Sequence, residues 1–188
     1  EKDILIYAFW ESVFHHTNDL LQCVETLPMT IETWHKFQPY RQAVRVDEFP
    51  TVDLGLACLF YNRANFSGIL KANPLGGLQQ LSDYKIDCRF NRQRIIALIE
   101  RISLLRERIV ICHGDAMEYL NRTYRHAIQQ NHFLYIEPPY YDKGKSLYRH
   151  WYTHHDHMVL ARFLTHCETP WLASYDNHEA IRMAYNQN

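Results

Sequence analysis

The spacing of apolar residues differs between the two halves of the chain. In the first half, apolar side chains recur at helical spacing and predict a long helix over residues 3–27. Thr30 is suited to cap a second helix, and the apolar run Val52–Phe66 predicts a third, buried one. Residues 38–50 are polar and bounded by prolines, and residues 67–87 are rich in glycine, so both stretches are predicted to be irregular.

From residue 91 onward, helical patterns alternate with short apolar runs. Helices are predicted from Asn91, as cap, to Leu105, from Ala116 to Ala127 after a Gly114-Asp115 turn, at 155–166, and from His178 onward. The short runs predict three strands, at Arg108–Cys112, Phe133–Ile136 and Trp171–Ser174. This alternation is typical of a parallel sheet and of an α/β fold.

Composition narrows the class of protein. The 188 residues suit one domain, with room for an insertion. A net charge of −1 gives no global signal for nucleic-acid binding. The five cysteines are odd in number and lack a CxxC pair, which argues against a disulfide framework or a zinc ribbon and favours a reducing compartment. No apolar run approaches the roughly 20 residues of a membrane span, and no signal peptide is visible.

The most informative stretch is Phe133–Tyr141, where an apolar run leads into Glu-Pro-Pro-Tyr-Tyr. Two prolines cannot continue a ladder, so the predicted strand ends at Glu137. Ligands of α/β sheets bind at the carboxyl ends of strands. A carboxylate, a rigid turn and aromatic faces suit a flat ring that carries an exocyclic amine. The alternative is an ordinary Pro-Pro turn with a solvated Glu137 and core tyrosines.

Acid-Pro-Pro-Tyr after an apolar strand resembles the catalytic signature of amino-group methyltransferases that use S-adenosylmethionine. Further stretches, in the same order and at similar spacing, resemble Dam-type adenine-N6 DNA methyltransferases over nearly the whole chain. They are Tyr61–Ile69, Gly76-Gly77, Ile86–Asn91, Gly114-Asp115-Ala116, Asp142–Tyr148, Asp156-His157 and Ser174–Asn177.

This resemblance implies a Rossmann-like S-adenosylmethionine-dependent methyltransferase fold. The catalytic core would comprise residues 1–35 and 91–188, and residues 36–90 would form an inserted DNA target-recognition region. The implied activity is methyl transfer to N6 of a flipped-out adenine in double-stranded DNA, without a metal or a covalent intermediate. The implied setting is the cytoplasm of a bacterium, or a phage-encoded protein, in a restriction-linked or orphan role.

The resemblance also implies roles within the signature. Glu137 and the carbonyl of Pro138 would accept hydrogen bonds from the amine, and Tyr140 would stack on the base. Glu137 stands where the family usually has Asp, and its side chain is longer by one methylene. An alternative function is therefore a degenerate, non-catalytic homologue that binds DNA or a partner protein.

Three acids are matched to the cofactor: Glu1 to its ribose, Asp115 to its adenine, and Glu137 near the reacting methyl group. An alternative interpretation is that Glu1 and Asp3 are first-turn acids that complement a helix dipole, and that Asp115 is a helix cap. The family's glycine-rich loop does not occur in this sequence, which begins with Glu1 rather than Met. The fold is therefore expected to be N-terminally truncated, with weak cofactor binding unless a preceding segment exists.

For DNA contact, the resemblance favours residues of the middle motif and of the loop after the signature: Asn62, Arg63, Asn65, Ser67, Lys143 and Lys145. Their side chains suit base edges and phosphates. Solvated surface and a flexible polar loop are the alternatives.

A second cluster invites a metal-hydrolase interpretation: His150, His154, His155, Asp156 and His157. The chain carries twelve histidines, so chance clustering explains it, and the zinc-protease glutamate is absent. No metal is predicted, and Asp156-His157 is expected to cap a helix.

Overall fold

The computed structural model describes residues 1–124 and 131–186, which belong to two compact units, Glu1–His113 (unit 1) and Gly114–Asn188 (unit 2). The chain combines many helices with a small parallel sheet, in agreement with the predicted mixed α/β class. The predicted target-recognition region, residues 36–90, lies entirely within unit 1. Within the described residues, no helix is both long enough and apolar enough to cross a membrane.

The described part of unit 1 is helical. Its helices are α1 (Ile4–His15), α2 (Thr17–Thr26), α3 (Ile31–Lys36), α4 (Gln38–Gln42), α5 (Thr51–Ala64) and α6 (Arg92–Ser103), with single 3₁₀ turns at Phe66–Gly68 and Arg106–Arg108.

The predicted single helix over residues 3–27 is wrong, because the chain breaks between α1 and α2. His16 has φ −132° and ψ 37°, outside the helical range. The local sequence His15–Asn18 consists of residues with modest helix propensity, so little opposes a break there.

Helix α5 is the centre of unit 1. Every residue from Leu54 to Tyr61 is buried, as expected for a helix that is apolar on all sides. Gly55 allows α1 to approach closely: a Cβ at this position would lie 2.7 Å from the Ser12 hydroxyl and 2.8 Å from the Ala8 carbonyl oxygen. The Ser12 hydroxyl itself donates to the Ala8 carbonyl at 2.7 Å. The predicted buried helix is therefore confirmed. The absence of a side chain at Gly55 sets the distance at which α5 packs on α1.

Other predictions for unit 1 have mixed outcomes. Thr30 caps α3 by accepting a hydrogen bond from Thr33, as predicted. Residues 69–87 contain no helix or strand, also as predicted. Part of the predicted loop 38–50 is helix α4, because proline is compatible with the first turn of a helix.

The predicted strand Arg108–Cys112 is wrong. Ile109 has extended backbone angles, φ −129° and ψ 130°. However, among the described residues no ladder pairs with this segment. An extended segment becomes a strand only when a neighbour supplies hydrogen bonds, and the apolar pattern alone could not provide that neighbour.

Unit 2 contains the sheet. Its described elements are α7 (Ala116–Tyr124), β1 (Leu134–Ile136), α8 (Gly144–Leu147), α9 (His154–Thr165), β2 (Trp171–Ala173) and α10 (Glu179–Tyr185). The predicted end of the helix after Gly114-Asp115, at Ala127, lies outside the described residues.

Strands β1 and β2 pair in parallel, with Leu134 opposite Trp171 and Ile136 opposite Ala173. The predicted parallel pairing of these two strands is confirmed. One face of the pair packs on a buried cluster that includes Leu160 of α9. Both strands end at the same edge, so the segments that follow them are neighbours.

Candidate functional site

The Glu-Pro-Pro-Tyr-Tyr segment leaves the sheet at the carboxyl end of β1, as predicted. The Ser174 amide, just past β2, donates to the Ile136 carbonyl at 3.0 Å and extends the pairing by one residue. The turn Glu137–Tyr141 and the segment Ser174–His178 therefore lie side by side. The sheet brings together two motifs that are more than thirty residues apart in sequence.

Asp176 joins these two segments. Its Oδ1 accepts the backbone N–H of Tyr141 at 2.9 Å, and its Oδ2 accepts that of Asp142 at 3.2 Å. Burial alone would raise the pKa of Asp176. The backbone hydrogen bonds from Tyr141, Asp142 and its own amide, together with the charge of His178, outweigh burial and hold the pKa below its ordinary value. Sequence analysis found the Ser174–Asn177 motif but assigned Asp176 no role.

The two tyrosines of the turn have different environments. Tyr141 stacks on His178, with ring centroids 4.2 Å apart, and its hydroxyl lies 2.9 Å from Nδ1 of His154. Tyr140 is 42% exposed and makes an edge-to-face contact with Tyr148, with centroids 6.3 Å apart. Tyr141 therefore anchors the turn, while Tyr140 presents a ring face for another group.

The acid of the signature is exposed, and the proline after it is buried. Glu137 accepts a hydrogen bond from the hydroxyl of Tyr135 at 2.9 Å. This bond, together with the negative charge of Glu137, raises the pKa of Tyr135. The predicted catalytic residues Glu137, Pro138 and Tyr140 thus combine an accessible carboxylate, a fixed backbone and an accessible ring.

A buried histidine lies behind the turn. His157 is 1% exposed, and the rings of Tyr141, Tyr152 and Tyr175 surround it at centroid distances of 5.2–5.7 Å. Neither ring nitrogen has a hydrogen-bond partner among the described residues. Burial lowers the pKa of His157 and raises that of Tyr152 to about 12. The site therefore rests on a neutral aromatic layer.

The acids matched to the cofactor have visible structural roles. Asp115 accepts the Met117 amide at 2.9 Å, which is a capping contact at the start of α7. Asp3 caps α1 by accepting the Leu5 amide at 2.9 Å, and Glu1 accepts the Asp3 amide at 2.8 Å. Glu1 lies in unit 1, whereas Asp115 and Glu137 lie in unit 2.

Of the residues favoured for DNA contact, Asn65 is fully buried. Its side chain accepts the indole N–H of Trp34 at 2.8 Å and donates to the carbonyls of Ile69 and Leu70 at 3.0 Å each. In this arrangement the Asn65 side chain stabilises the fold and is not accessible to DNA. The motif's Asn62 is half-buried and donates to the Gly68 carbonyl at 3.3 Å.

The remaining DNA candidates are at least partly accessible. Ser67 is exposed in a left-handed backbone conformation, φ 54°. Lys143 and Lys145 are exposed after the Glu137–Tyr141 turn, and the Lys145 ammonium lies 5.9 Å from the centre of the Trp151 ring.

Arg63 is half-buried beside other cations. Its Nε has no hydrogen-bond partner among the described residues. Burial, and after it the charges of Arg89 and Arg94, lowers the pKa of Arg63. Arg89 is exposed and donates to the Asn65 carbonyl at 3.3 Å. Like charges in proximity repel, so an anion would stabilise this group. Arg94 was missed because it belongs to the amphipathic pattern of α6.

Within the described residues, no group of three or more metal-ligating side chains lies close enough together to hold a metal ion. Asp156 and Thr153 form a capping box at the start of α9, which confirms the predicted capping role of Asp156, whereas His157 is buried within the helix.

A shallow cavity of about 420 Å³ opens beside β2 and α10. It is lined by Trp171, Ala173, Tyr175, Asp176, Asn177, His178, Ile181, Arg182, Tyr185 and Asn186. Asp176 and His178, which contact the Glu137–Tyr141 turn, are thus also part of the cavity wall, so a concave surface adjoins this turn.

Comparison with known proteins finds no matching family model and no significant match among curated proteins. Function is therefore argued from the order of the motifs and from the geometry of unit 2.

Proposed function

We propose that this chain carries the catalytic site of an S-adenosylmethionine-dependent DNA adenine-N6 methyltransferase with a Rossmann-like core. One observation carries the proposal: the Glu137–Tyr140 turn stands at the carboxyl end of a parallel strand, with Glu137 and Tyr140 accessible. The backbone directly after Tyr140 is held by Asp176, in the segment that follows the neighbouring strand. This is the place in an α/β sheet at which ligands bind.

The site suits an aromatic amine. Adenine N6 is a weak nucleophile because its lone pair is delocalised into the ring. Glu137 and the Pro138 carbonyl would accept the two N–H bonds and favour a pyramidal nitrogen. Since the cofactor supplies an already activated methyl group, the chain's main contribution is alignment of the amine for in-line attack.

Tyr140 would hold the target base. Reaching N6 within a duplex requires the base to flip out, at a cost of a few kcal/mol. Stacking of one base on an aromatic side chain returns about 1–3 kcal/mol. The exposed ring of Tyr140, in edge-to-face contact with Tyr148, offers such a face.

The chain has local groups for DNA phosphates despite its net charge of −1. In unit 2, Lys143 and Lys145 follow the catalytic turn directly. In unit 1, Arg63 and Arg89 supply guanidinium groups, with Asn62 and Ser67 nearby in sequence. Neutralisation of phosphates by such residues gives affinity without reading sequence.

In unit 2, the carboxylate of Asp115 would accept N–H or O–H bonds from the adenosyl end of the cofactor, and Glu137 would lie near its reacting methyl group. Asp115 also caps α7 through one oxygen. Glu1 is the corresponding candidate in unit 1. We assign no described residue to the methionine end.

The alternative is a non-catalytic homologue that still binds DNA or a partner protein. The observation that favours it is Glu137 itself. Its extra methylene moves the carboxylate relative to Asp, and a displacement of about 1 Å can reduce a rate roughly 100-fold.

The test is transfer of tritiated methyl groups from S-adenosylmethionine to duplex DNA, using this chain and the complete reading frame that contains it. We expect transfer to adenine N6, abolished by Glu137→Ala and strongly reduced by Tyr140→Ala. Tyr140→Phe is the matched control, because it keeps the ring and should keep most activity. DNA binding without any transfer by either protein would favour the alternative. Transfer that is unchanged in both alanine variants would overturn the residue assignments.

A further inference from the structure

We infer that Asp176 is a positioning residue that fixes the catalytic turn, Glu137–Tyr141, from the segment that follows the neighbouring strand. The inference rests on the proposed function for its catalytic consequence, although the contact itself is structural. It assigns a role to a side chain that is 36 positions beyond Tyr140 in sequence and not part of the Glu-Pro-Pro-Tyr signature.

The contact is two-pronged. Each carboxylate oxygen of Asp176 accepts a different backbone N–H, from Tyr141 at 2.9 Å and from Asp142 at 3.2 Å. Hydrogen bonds to an ionised acceptor are stronger than neutral ones. The lowered pKa of Asp176 keeps it ionised at neutral pH, so both bonds persist there.

The position of these two amides explains why the contact matters. They follow Tyr140 directly. In addition, the Tyr140 carbonyl accepts a hydrogen bond from the Gly144 amide at 2.9 Å. The prolines restrict the backbone before Tyr140. With Asp176 in place, the backbone is therefore held both before and after the residue that stacks on the base.

A second tie joins the same two segments. The imidazole Nε2 of His178 lies 3.4 Å from a carboxylate oxygen of Asp142, and its ring stacks on Tyr141. This tie depends on protonation of His178, whereas the backbone bonds to Asp176 do not. Removal of Asp176 should thus loosen the turn without unfolding unit 2.

The chemistry requires Asp at this position. Asn has the same length but only one acceptor atom, so it can retain one of the two bonds. Asp176→Asn should therefore have an intermediate effect, and Asp176→Ala a full one. A role in bulk packing alone would predict no difference in rate between the wild type and the isosteric Asn variant.

Two measurements test the inference. First, amide hydrogen exchange is followed by NMR in the free chain, without DNA or cofactor. Exchange at Tyr141 and Asp142 should accelerate roughly tenfold or more in Asp176→Ala, as expected for loss of a hydrogen bond to a charged group. Glu179→Gln, which removes an exposed carboxylate from the first turn of α10, is the matched control and should leave both amides protected.

Second, steady-state methyl transfer separates kcat from KM. We expect kcat to fall roughly 100-fold in Asp176→Ala, with the KM for DNA changed by no more than about twofold. Asp176→Asn should lie between the two proteins in kcat. If Asp176→Ala does not fold by circular dichroism, Asp176→Asn carries both measurements.

The outcomes separate the inference from the proposed function. Absence of methyl transfer in the wild type, together with faster exchange at Tyr141 and Asp142 in the variants, would overturn the function and support the contact. Unchanged exchange at both amides would overturn the inference whether or not transfer is observed. Unchanged kcat in an active protein would likewise overturn it.

Discussion

The phenol of Tyr135 donates a hydrogen bond of 2.9 Å to the carboxylate of Glu137, two residues further along the chain. Side chains at i and i+2 of a strand lie on the same face, so β1 itself aims the donor at the acceptor. The bond restrains the long Glu137 side chain at one of its two oxygens. In the proposed mechanism, this restraint offsets part of the freedom that the extra methylene adds.

Replacement of Tyr135 by Phe should lower kcat for methyl transfer roughly 2- to 10-fold, the effect of losing one ordinary hydrogen bond. The KM for DNA should not change, because the ring remains. Steady-state assays at saturating DNA measure the effect. Tyr119→Phe, at an exposed tyrosine of α7, is the control and should keep full activity. A Tyr135→Phe variant as active as the wild type would show that Glu137 needs no orientation.

If the proposed function holds, the cationic group of Arg63, Arg89 and Arg94 should make DNA affinity depend on salt. Each neutralised phosphate contributes roughly 0.9 to the slope of log affinity against log salt concentration. Arg89→Gln should therefore weaken binding at low salt and reduce the slope by about this amount, for every DNA sequence tested. Fluorescence anisotropy over a salt series measures it, with Arg101→Gln, at an exposed position of α6, as the control. Equal slopes for Arg89→Gln and the wild type would remove Arg89 from the proposed surface.

Asn65 should prove to be a stability residue. Asn65→Ala leaves the Trp34 indole N–H and two backbone carbonyls without their buried partner, and an unsatisfied buried group costs about 1–3 kcal/mol. We expect the free energy of unfolding to fall by at least about 3 kcal/mol in urea titrations. Asn73→Ala, at an exposed asparagine of the same segment, should stay within about 0.5 kcal/mol. A small change in the free energy of unfolding of Asn65→Ala, together with weaker DNA binding, would instead support a role for Asn65 in DNA contact.

Gly55 should not tolerate a side chain. The Cβ of Gly55→Ala would meet a backbone oxygen at 2.8 Å, so α1 and α5 must separate. Overpacking of this kind costs about 1–3 kcal/mol. Thermal unfolding measures the loss, and Gly144→Ala is the control because its nearest neighbours begin at an ordinary 3.5 Å. Equal melting temperatures for the two variants would contradict the close approach.

His157 should make the protein less stable in acid. Burial lowers its folded-state pKa, whereas the unfolded chain titrates near the ordinary value of about 6.5. As pH falls below about 6.5, the unfolded state binds the proton first, so the free energy of unfolding decreases until the folded pKa is passed. Nearby Asp176 and Asp156 oppose this shift but do not reverse it.

The test compares melting temperatures at neutral pH and at about pH 5. His157→Phe fills the aromatic layer without a titrating group and should show a smaller acid-induced decrease than the wild type. His155→Phe, at an exposed position of α9 two residues before His157, should retain the wild-type decrease in melting temperature. Identical decreases for His157→Phe and the wild type would exclude His157 as the cause.

Much of the secondary structure could be predicted from local patterns. Asn91 caps α6, Thr30 caps α3 and Asp156 caps α9, each through a bond to a residue only three positions away. The wrong predictions concern positions where the outcome depends on a distant partner segment or on a small difference in helix propensity. The break at His16 reflects weak local preference, and the segment after Arg108 lacks the partner that would make it a strand.

The candidate site divides in the same way. The sequence by itself determined that the strand stops where Glu137 and the two prolines begin, because proline cannot continue a ladder, and that tyrosines follow. Only the tertiary structure decided that Asp176 holds the turn, that Tyr140 is accessible while Tyr141 is anchored, and that Asn65 is buried. The reason is physical. Helix capping and apolar periodicity depend on residues within one or two helical turns. Burial, and the contact between Asp176 and Tyr141 across 35 positions, depend on which distant segments the fold brings together.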